Sequence, residues 1–441
     1  SDLDVAGEWT YDSTTKVLKV YSTSSPTVQI STIDTTIWIN KKNYLTFHNL
    51  NVTGANRAAF QLDTTRFITI QNCTLNNSGT FGIIGDSAVH TTISKDSISN
   101  SLTGAIYLRA FDPYTYNNTC DSSTVDSCYI KNTAIYAGMG RSDNDRYVGI
   151  CIVGKSSTLT NNVIDSTGYA SILWNGQNSS IKYNYITNHN FIKDDGAGIY
   201  TVIGAYIPVD GNDGAIVRKN IVLHGIGAPD GTNGNATSFA PGIYLDVKTR
   251  NITVDSNTVS DGLYAAYYTN GENSGLTITD NTFEDSLGMV GRLDEATTNT
   301  STSTYKRNIY YSRNSANVCF YIRTSNLTMG TVDSNYYVRP TSTSGINSFG
   351  GSTYTFSGWQ GASNYDAHGH TDPTNIYSQV GLLYTNPSHS SLAVTYHGGW
   401  KDAKGTIGRG NFTLGEFESK IIFPAADITN YSFINKYNRY K

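Results

Sequence analysis

Charge is scarce in this chain. Only 15% of its 441 residues are Asp, Glu, Lys or Arg, and the formal net charge is −4. That balance leaves no basic footprint for nucleic acid or for an anionic membrane surface. Long hydrophobic runs are missing as well, so no segment is expected to insert into a bilayer. The first residue is Ser1 rather than Met, and no charged-then-apolar leader follows it. The expectation is a processed secreted protein or a trimmed chain. Cysteine is limited to Cys73, Cys120, Cys128, Cys151 and Cys319, without zinc spacing. The eight His form no metal or triad motif, and no phosphate loop, dinucleotide fingerprint or nucleophile elbow occurs. No cofactor is therefore expected, apart from a structural or catalytic Ca²⁺ as one reading of an Asp pair described below.

What is present is polar but uncharged. The chain has 41 Gly against 9 Pro, 32 Tyr, and many Asn, Thr and Ser. Thr, Tyr, Val and Ile suit pleated, half-buried surfaces, so the composition leans to β structure. A repeat runs along most of the chain. Its unit is an apolar residue, two polar ones, a special position, one more residue and a second apolar one. Examples are Leu159-Thr-Asn-Asn162-Val-Ile164, Ile181-Lys-Tyr-Asn184-Tyr-Ile186, Val217-Arg-Lys-Asn220-Ile-Val222, Val254-Asp-Ser-Asn257-Thr-Val259 and Ile278-Thr-Asp-Asn281-Thr-Phe283. Weaker copies place Asn314 and Asn335 downstream, and Leu50, Cys73, Asp96 and Cys128 upstream.

The shortest spacings are 23 (Cys73 to Asp96), 22 (Asn162 to Asn184) and 24 (Asn257 to Asn281). A period near 22 is one coil of a three-sided parallel β-helix, each coil stacking on the last at about 4.8 Å. The expected fold is a right-handed parallel β-helix of about 11 coils with a small C-terminal β appendage. Stacked Asn should form an amide ladder that satisfies buried backbone groups. Asn184 and Asn257 should be buried, and Asn tolerates the left-handed conformation that such turns need. Cys120 and Cys128 could close a short loop as a disulfide, but the column position of Cys128 favours a buried rung. The expected organisation is an N-terminal hairpin or cap at 1–40, the helix at 41–340, an exit segment at 341–375 and a C-terminal β module at 376–441.

Insertions in a solenoid mark its functional face. Long intervals fall at Asp96 to Cys128 (32), Cys128 to Asn162 (34), Asn184 to Asn220 (36), Asn220 to Asn257 (37) and Asn281 to Asn314 (33). They read as loops walling a groove at about residues 100–300. A second alignable strand precedes each ladder motif, as in Gly104-Ala-Ile-Tyr-Leu-Arg109, Ala170-Ser-Ile-Leu-Trp-Asn175, Gly198-Ile-Tyr-Thr-Val202, Gly242-Ile-Tyr-Leu-Asp246 and Ala265-Ala-Tyr-Tyr-Thr269. Alternation sends Tyr107, Tyr200, Tyr244 and Tyr267 outward, beside Arg109, Asn175, Asp246 and Thr269. Aromatics, Arg and carboxylates on a flat strand face suit sugars, with rings stacking on pyranose faces and polar groups taking hydroxyls. Arg109, Arg141, Asp143, Trp174, Asn175, Tyr200, Tyr244 and Tyr267 are the candidate substrate-binding residues. Replacing Tyr200 or Tyr244 by Ala should weaken glycan binding at little loss of stability.

Lys193-Asp194-Asp195-Gly196-Ala-Gly198-Ile-Tyr200 places two acids before a glycine-rich strand entry, and Asp246 stands on a groove strand. Glycoside hydrolysis needs two carboxyl groups, one protonated and one ionised. Neighbouring carboxylates help split those roles. Asp194, Asp195 and Asp246 are the catalytic candidates. On straight strands Asp195 and Asp246 would lie about 20 Å apart at roughly 3.3 Å per residue, so the acid pair must fold over the groove. The alternative grouping joins Asp194 and Asp195 to Arg141, Asp143, Asp145 and Arg146. The same pair could instead cap turns or hold Ca²⁺. Asp63 shares the position and context of Asp246, so the Asp246 position is expected to be partly structural.

Gly7-Glu-Trp-Thr-Tyr-Asp12, Gly168-Tyr-Ala-Ser-Ile-Leu-Trp-Asn-Gly176, the Lys193–Tyr200 segment and Gly242-Ile-Tyr-Leu-Asp246 together resemble bacterial right-handed parallel β-helix carbohydrate-active enzymes, especially β-helix glycoside hydrolases. Trp400-Lys-Asp-Ala-Lys-Gly405 to Phe417-Glu-Ser-Lys-Ile421 resembles the small β module that often ends such proteins. The resemblance implies an acid pair drawn from the Asp195 and Asp246 segments. Polysaccharide lyases and phage tail depolymerases share the scaffold. The expected activity is hydrolysis of a polysaccharide or glycan by a secreted, cell-surface or virion-associated protein. A lyase, using Lys193, Arg109 or Arg141 as base, and a glycan-binding adhesin are the alternatives.

Overall fold

The computed structural model describes residues 3–109, 120–139, 146–202, 212–231, 239–285, 287–294, 302–314, 316–325, 327, 329–340, 344–371 and 380–424. Within them the chain winds as a parallel β-helix. Each coil contributes three short strands that pair in parallel with their counterparts in the next coil. On the first face Phe60, Ile83, Ile106, Ile150, Ile172, Ile199 and Ile243 stand in register. Ile70, Ile93, Val125, Leu159, Ile181, Val217 and Val254 do so on the second, and Leu75, Ile98, Ile130, Ile164, Ile186, Val222 and Val259 on the third. All of them enter one continuous core. The period-2 pattern of a strand turns each such residue inward, where burial contributes about 1.5–3 kcal/mol per side chain. Toward the C-terminal end rings replace aliphatics, and Tyr267, Phe283, Tyr310 and Tyr337 form a stacked column.

The stack starts at Thr35–Asn40, inside the segment expected as the cap, and its third face runs from Asn51–Thr53 to His370–Thr371. The hairpin pairing Trp9–Asp12 with Val17–Val20 precedes it. Near the far end the helix Phe356–Ser363 seats the fully buried Trp359 against Phe320 and Phe349, which covers the last coils. The C-terminal strands are antiparallel and dock on the third face, where Ala403, Ile421 and Phe423 pack on Ile309, Tyr311 and Val338.

The ladder is present and is longer than the sequence pattern suggests. The amide of each Asn donates to Oδ1 of the next along Asn162, Asn184, Asn220, Asn257, Asn281, Asn308 and Asn335, at 2.9–3.1 Å. Asn184 and Asn257 are both buried. Asn308, not Asn314, is the rung after Asn281. The column ends on Asp366, which accepts from Asn335 Nδ2 (3.0 Å), the Tyr337 hydroxyl (2.6 Å) and Trp359 Nε1 (3.0 Å). The left-handed residue of each corner is the one before the rung, as at Asn161, Tyr183, Lys219 and Ser256. The rung Asn is selected for its amide and not for its backbone freedom. All five cysteines are free and buried, Cys120 and Cys128 included.

Candidate active site

The first face presents two outward columns. One runs Trp38, Gln61, Ile84, Tyr107, Cys151, Leu173, Tyr200, Tyr244, Tyr268, Arg292 and Tyr321. Two residues further along each strand lie Asp63, Asp86, Asn175, Asp246, Asn270 and Asp294. Register and burial together correct three expected binding residues. Tyr267 pairs with Ile243 and points into the core, while its neighbour Tyr268 takes the outward place. Trp174 lies in register with Ile152, fully buried among the inward side chains, and touches no surface. Asn175 is buried with its amide 2.9 Å from the Thr201 hydroxyl, a contact between coils.

Tyr200 and Tyr244 do point outward, but they are buried there. Segments leading into the first face fold back over it and form a second apolar layer, in which Tyr147 and Ile192, from two of the insertions, and Tyr169, from the shortest coil, cover Tyr107, Leu173, Tyr200 and Tyr244. Tyr244 is stacked between Tyr200 (4.9 Å between centroids) and Tyr268 (4.6 Å), with Phe239 against its edge. The expectation of solvent-exposed Tyr columns therefore fails. Alternation fixes which side of the strand a ring occupies, and the segments folded over it decide whether water reaches it.

The acid-bearing segment folds over this layer. The Tyr169 hydroxyl donates to the Asp195 carbonyl (2.7 Å), and the Tyr169 ring meets Tyr200 edge-on at 6.1 Å. The Tyr200 hydroxyl in turn donates to Asp246 Oδ2 at 3.0 Å. Contacts through two tyrosines thus link the Asp195 backbone carbonyl to the Asp246 carboxylate, and Asp246 is near enough for its charge to act on the Asp195 carboxyl. The turn depends on Gly196, where a Cβ would meet the Tyr169 ring at 2.3 Å, and on Asp195 adopting a left-handed φ of 55°.

The two carboxylates have different surroundings. Asp195 keeps solvent contact as a residue. Partial burial of its carboxyl against the tyrosine layer, then the charges of Asp246 and Asp194, push it up to about 6, against a smaller opposing pull from Lys193. Asp246 is nearly buried and accepts from Tyr200, Asn270 Nδ2 (3.0 Å) and the Val247 N–H (2.8 Å). Burial, reinforced by the nearby acids, holds the phenols of Tyr169, Tyr200 and Tyr244 well above their ordinary range, so they act as donors. Asp194 is half-buried beside Asp195, and Lys193 Nζ lies 4.7 Å from the Tyr169 ring.

Two coils beyond Asp246, Asp294 repeats its setting. Oδ2 accepts from Tyr264 and Tyr268 (3.3 Å each) and from Arg292 (2.7 and 3.0 Å), whose guanidinium lies 4.2 Å from the Tyr264 ring. Tyr169, Tyr268, Asn270, Arg292 and Asp294 escape sequence reasoning. The signal for Asp294 was available, since Met289–Asp294 ends on an acid as Ile243–Asp246 does. Arg109 is four coils from Asp246, about 19 Å along the axis at the coil rise. Arg146 sits over the rings of Tyr107 (4.4 Å) and Phe81 (5.1 Å). Arg141, Asp143 and Asp145 lie outside the described residues. Among the described residues no three His, Cys, Asp or Glu side chains converge as a metal-binding group.

A family model described as "Right handed beta helix region" matches residues 117–290. No curated protein matches the sequence. Among solved structures, a glycoside hydrolase is 15% identical with a TM-score of 0.51, over 63% of this chain and 57% of its own. The chain thus spans less than two thirds of that protein. A tailspike protein mutant of E. coli bacteriophage HK620 in complex with hexasaccharide is 11% identical over 86% of this chain and 71% of its own, with a TM-score of 0.44. A mannuronic acid specific polysaccharide family 6 lyase from human gut microbiota is 12% identical over 70% and 75%, with a TM-score of 0.38. The family match and the first of these structures establish the right-handed parallel β-helix fold.

Proposed function

We propose that this protein is a carbohydrate-active enzyme that hydrolyses glycosidic bonds of a polysaccharide or glycan, with Asp195 as general acid and Asp246 as its charged partner. The observation that carries the reading is the Asp195–Tyr169–Tyr200–Asp246 bridge. Through the Asp195 backbone carbonyl it links a residue whose carboxyl is raised to about 6 to a second acid held by three donors. A carboxyl with that affinity keeps its proton into the weakly acidic range, as protonation of a leaving oxygen requires. The three donors fix the orientation of the Asp246 carboxyl, as the second acid of a glycosidase pair requires. Asp194 contributes its charge to Asp195 and so helps keep the proton there. A glycoside hydrolase is among the solved structures that share this fold. The setting proposed is extracellular, either secreted or on a cell or virion surface, where polymeric glycans lie.

The test is a broad glycan panel read for new reducing ends and for ultraviolet absorbance of unsaturated products. Asp195→Asn and Asp246→Asn should each lower turnover by about 10²–10⁴-fold, the typical contribution of a positioned acid or base, with melting unchanged. Unsaturated products would make the protein a lyase. Retained binding without any product would make it an adhesin. Unchanged hydrolysis by both variants would remove these residues from the chemistry.

A further inference from the structure

The link between Tyr200 and Asp246 is one of three. In each, an aromatic N–H or O–H in the first outward column donates to a carboxylate in the second column, one coil further on. The pairs are Trp38 Nε1 with Asp63 (2.6 Å), Tyr200 with Asp246 (3.0 Å) and Tyr268 with Asp294 (3.3 Å). The second and third lie under the second apolar layer. The first does not. Trp38 is 62% exposed, a large apolar surface left in water on a face that elsewhere covers its rings.

We propose that Trp38 and Asp63 form a second, non-catalytic glycan-binding site that holds a neutral sugar unit on the first coils. Trp38 stands in register with Gln61 and reaches diagonally to Asp63, so its indole is held in place against the sheet. Gln61 Nε2 also donates to the same Asp63 oxygen (2.7 Å), which leaves Oδ1 for a sugar hydroxyl. A fixed, exposed indole beside a carboxylate acceptor matches a pyranose, whose C–H face stacks while a hydroxyl at its rim donates. Asp86, next to Asp63 in the same column, adds negative charge that disfavours an acidic sugar. Six coil steps separate Trp38 from Tyr200, about 29 Å along the axis. A polymer could occupy both places at once, and the second site would then raise the effective concentration of substrate at the first.

Intrinsic fluorescence provides the test, because Trp174, Trp359 and Trp400 are buried and only Trp9 and Trp38 are exposed. The intact protein is titrated with hexasaccharides of glucose, xylose, mannose and galactose, and with a galacturonate hexamer. At least one neutral hexasaccharide should shift the emission. The shift should survive Trp9→Phe and vanish in Trp38→Phe, and Asp63→Asn should weaken binding of the same sugar about tenfold, one hydrogen bond to a charged group being lost. Circular dichroism of each variant should match the parent. No response to any neutral sugar, a response that persists in Trp38→Phe, or a response to the galacturonate hexamer alone would overturn the proposal. None of these readings depends on turnover, so the catalytic assignment stands or falls separately.

Discussion

Replacing Asn184 by Ala removes one rung of the ladder, and the loss can be worked out atom by atom. Asn184 Oδ1 accepts from the Asn162 backbone N–H (3.1 Å) and from Asn162 Nδ2 (2.9 Å). Asn184 Nδ2 donates to Leu159 O and to Asn220 Oδ1, both at 2.9 Å. After truncation Asn162 Nδ2 keeps Val125 O, and Asn220 Oδ1 keeps the backbone N–H of residue 184. The Asn162 N–H keeps nothing. An orphaned buried donor costs about 1–3 kcal/mol, and the three other lost bonds add roughly 0.5–1.5 kcal/mol each, so destabilisation of at least about 2.5 kcal/mol is expected. Urea unfolding followed by circular dichroism reads this as a lower midpoint at unchanged m. Thr187→Ala, on the outward side of the same coil, should stay within about 0.5 kcal/mol of the parent. A loss at Asn184 no larger than that at Thr187 would refute the claim that the ladder carries stability. Asn184→Leu should add only the penalty of overpacking, because the left-handed position is Tyr183.

Asp96 occupies a rung as a buried acid, and burial pushes its carboxyl up to about 6. A folded value above the unfolded one means that stability is lost as pH rises from about 4 through 6, amounting to about 2–3 kcal/mol at neutral pH. Asp96→Asn should therefore raise the urea midpoint at pH 7 and leave it unchanged near pH 4. A variant less stable at both values would contradict this. Tyr244→Ala should destabilise by about 3–5 kcal/mol, as for any fully buried ring. A melting temperature within error of the parent would show that the second layer does not hold the ring as described.

The solenoid was legible because its signal repeats: an apolar residue three before each rung and another two after it recur coil after coil. The pattern weakened where chemistry changed within a fixed shape. Tyr305-Lys-Arg-Asn308-Ile-Tyr310 carries Tyr where other copies carry Leu, Ile, Val or Phe, so the apolar pattern alone does not favour Asn308 over Asn314. Two adjacent tyrosines, Tyr267 and Tyr268, fit either side of an alternating strand, and a one-residue slip exchanged core for surface. The meeting of Asp195 with Asp246 was not readable from strand arithmetic. It depends on a left-handed turn and on Tyr169, which arrives from the preceding coil. Burial of the outward tyrosines escaped for a related reason, since the segments that cover them have no period.

In the proposed mechanism Asp195 supplies the proton for glycosidic cleavage. The direct measurement is the pH dependence of kcat/KM on whichever glycan of the panel is cut, for the parent and for Asp195→Asn. The parent should lose activity as pH rises through about 6, because Asp195 must be protonated to act. Asp195→Asn should be slower by about 10²–10⁴-fold and lack that descending limb. A variant that keeps the same limb at the same pH, whatever its rate, would assign the proton to another group and contradict the account.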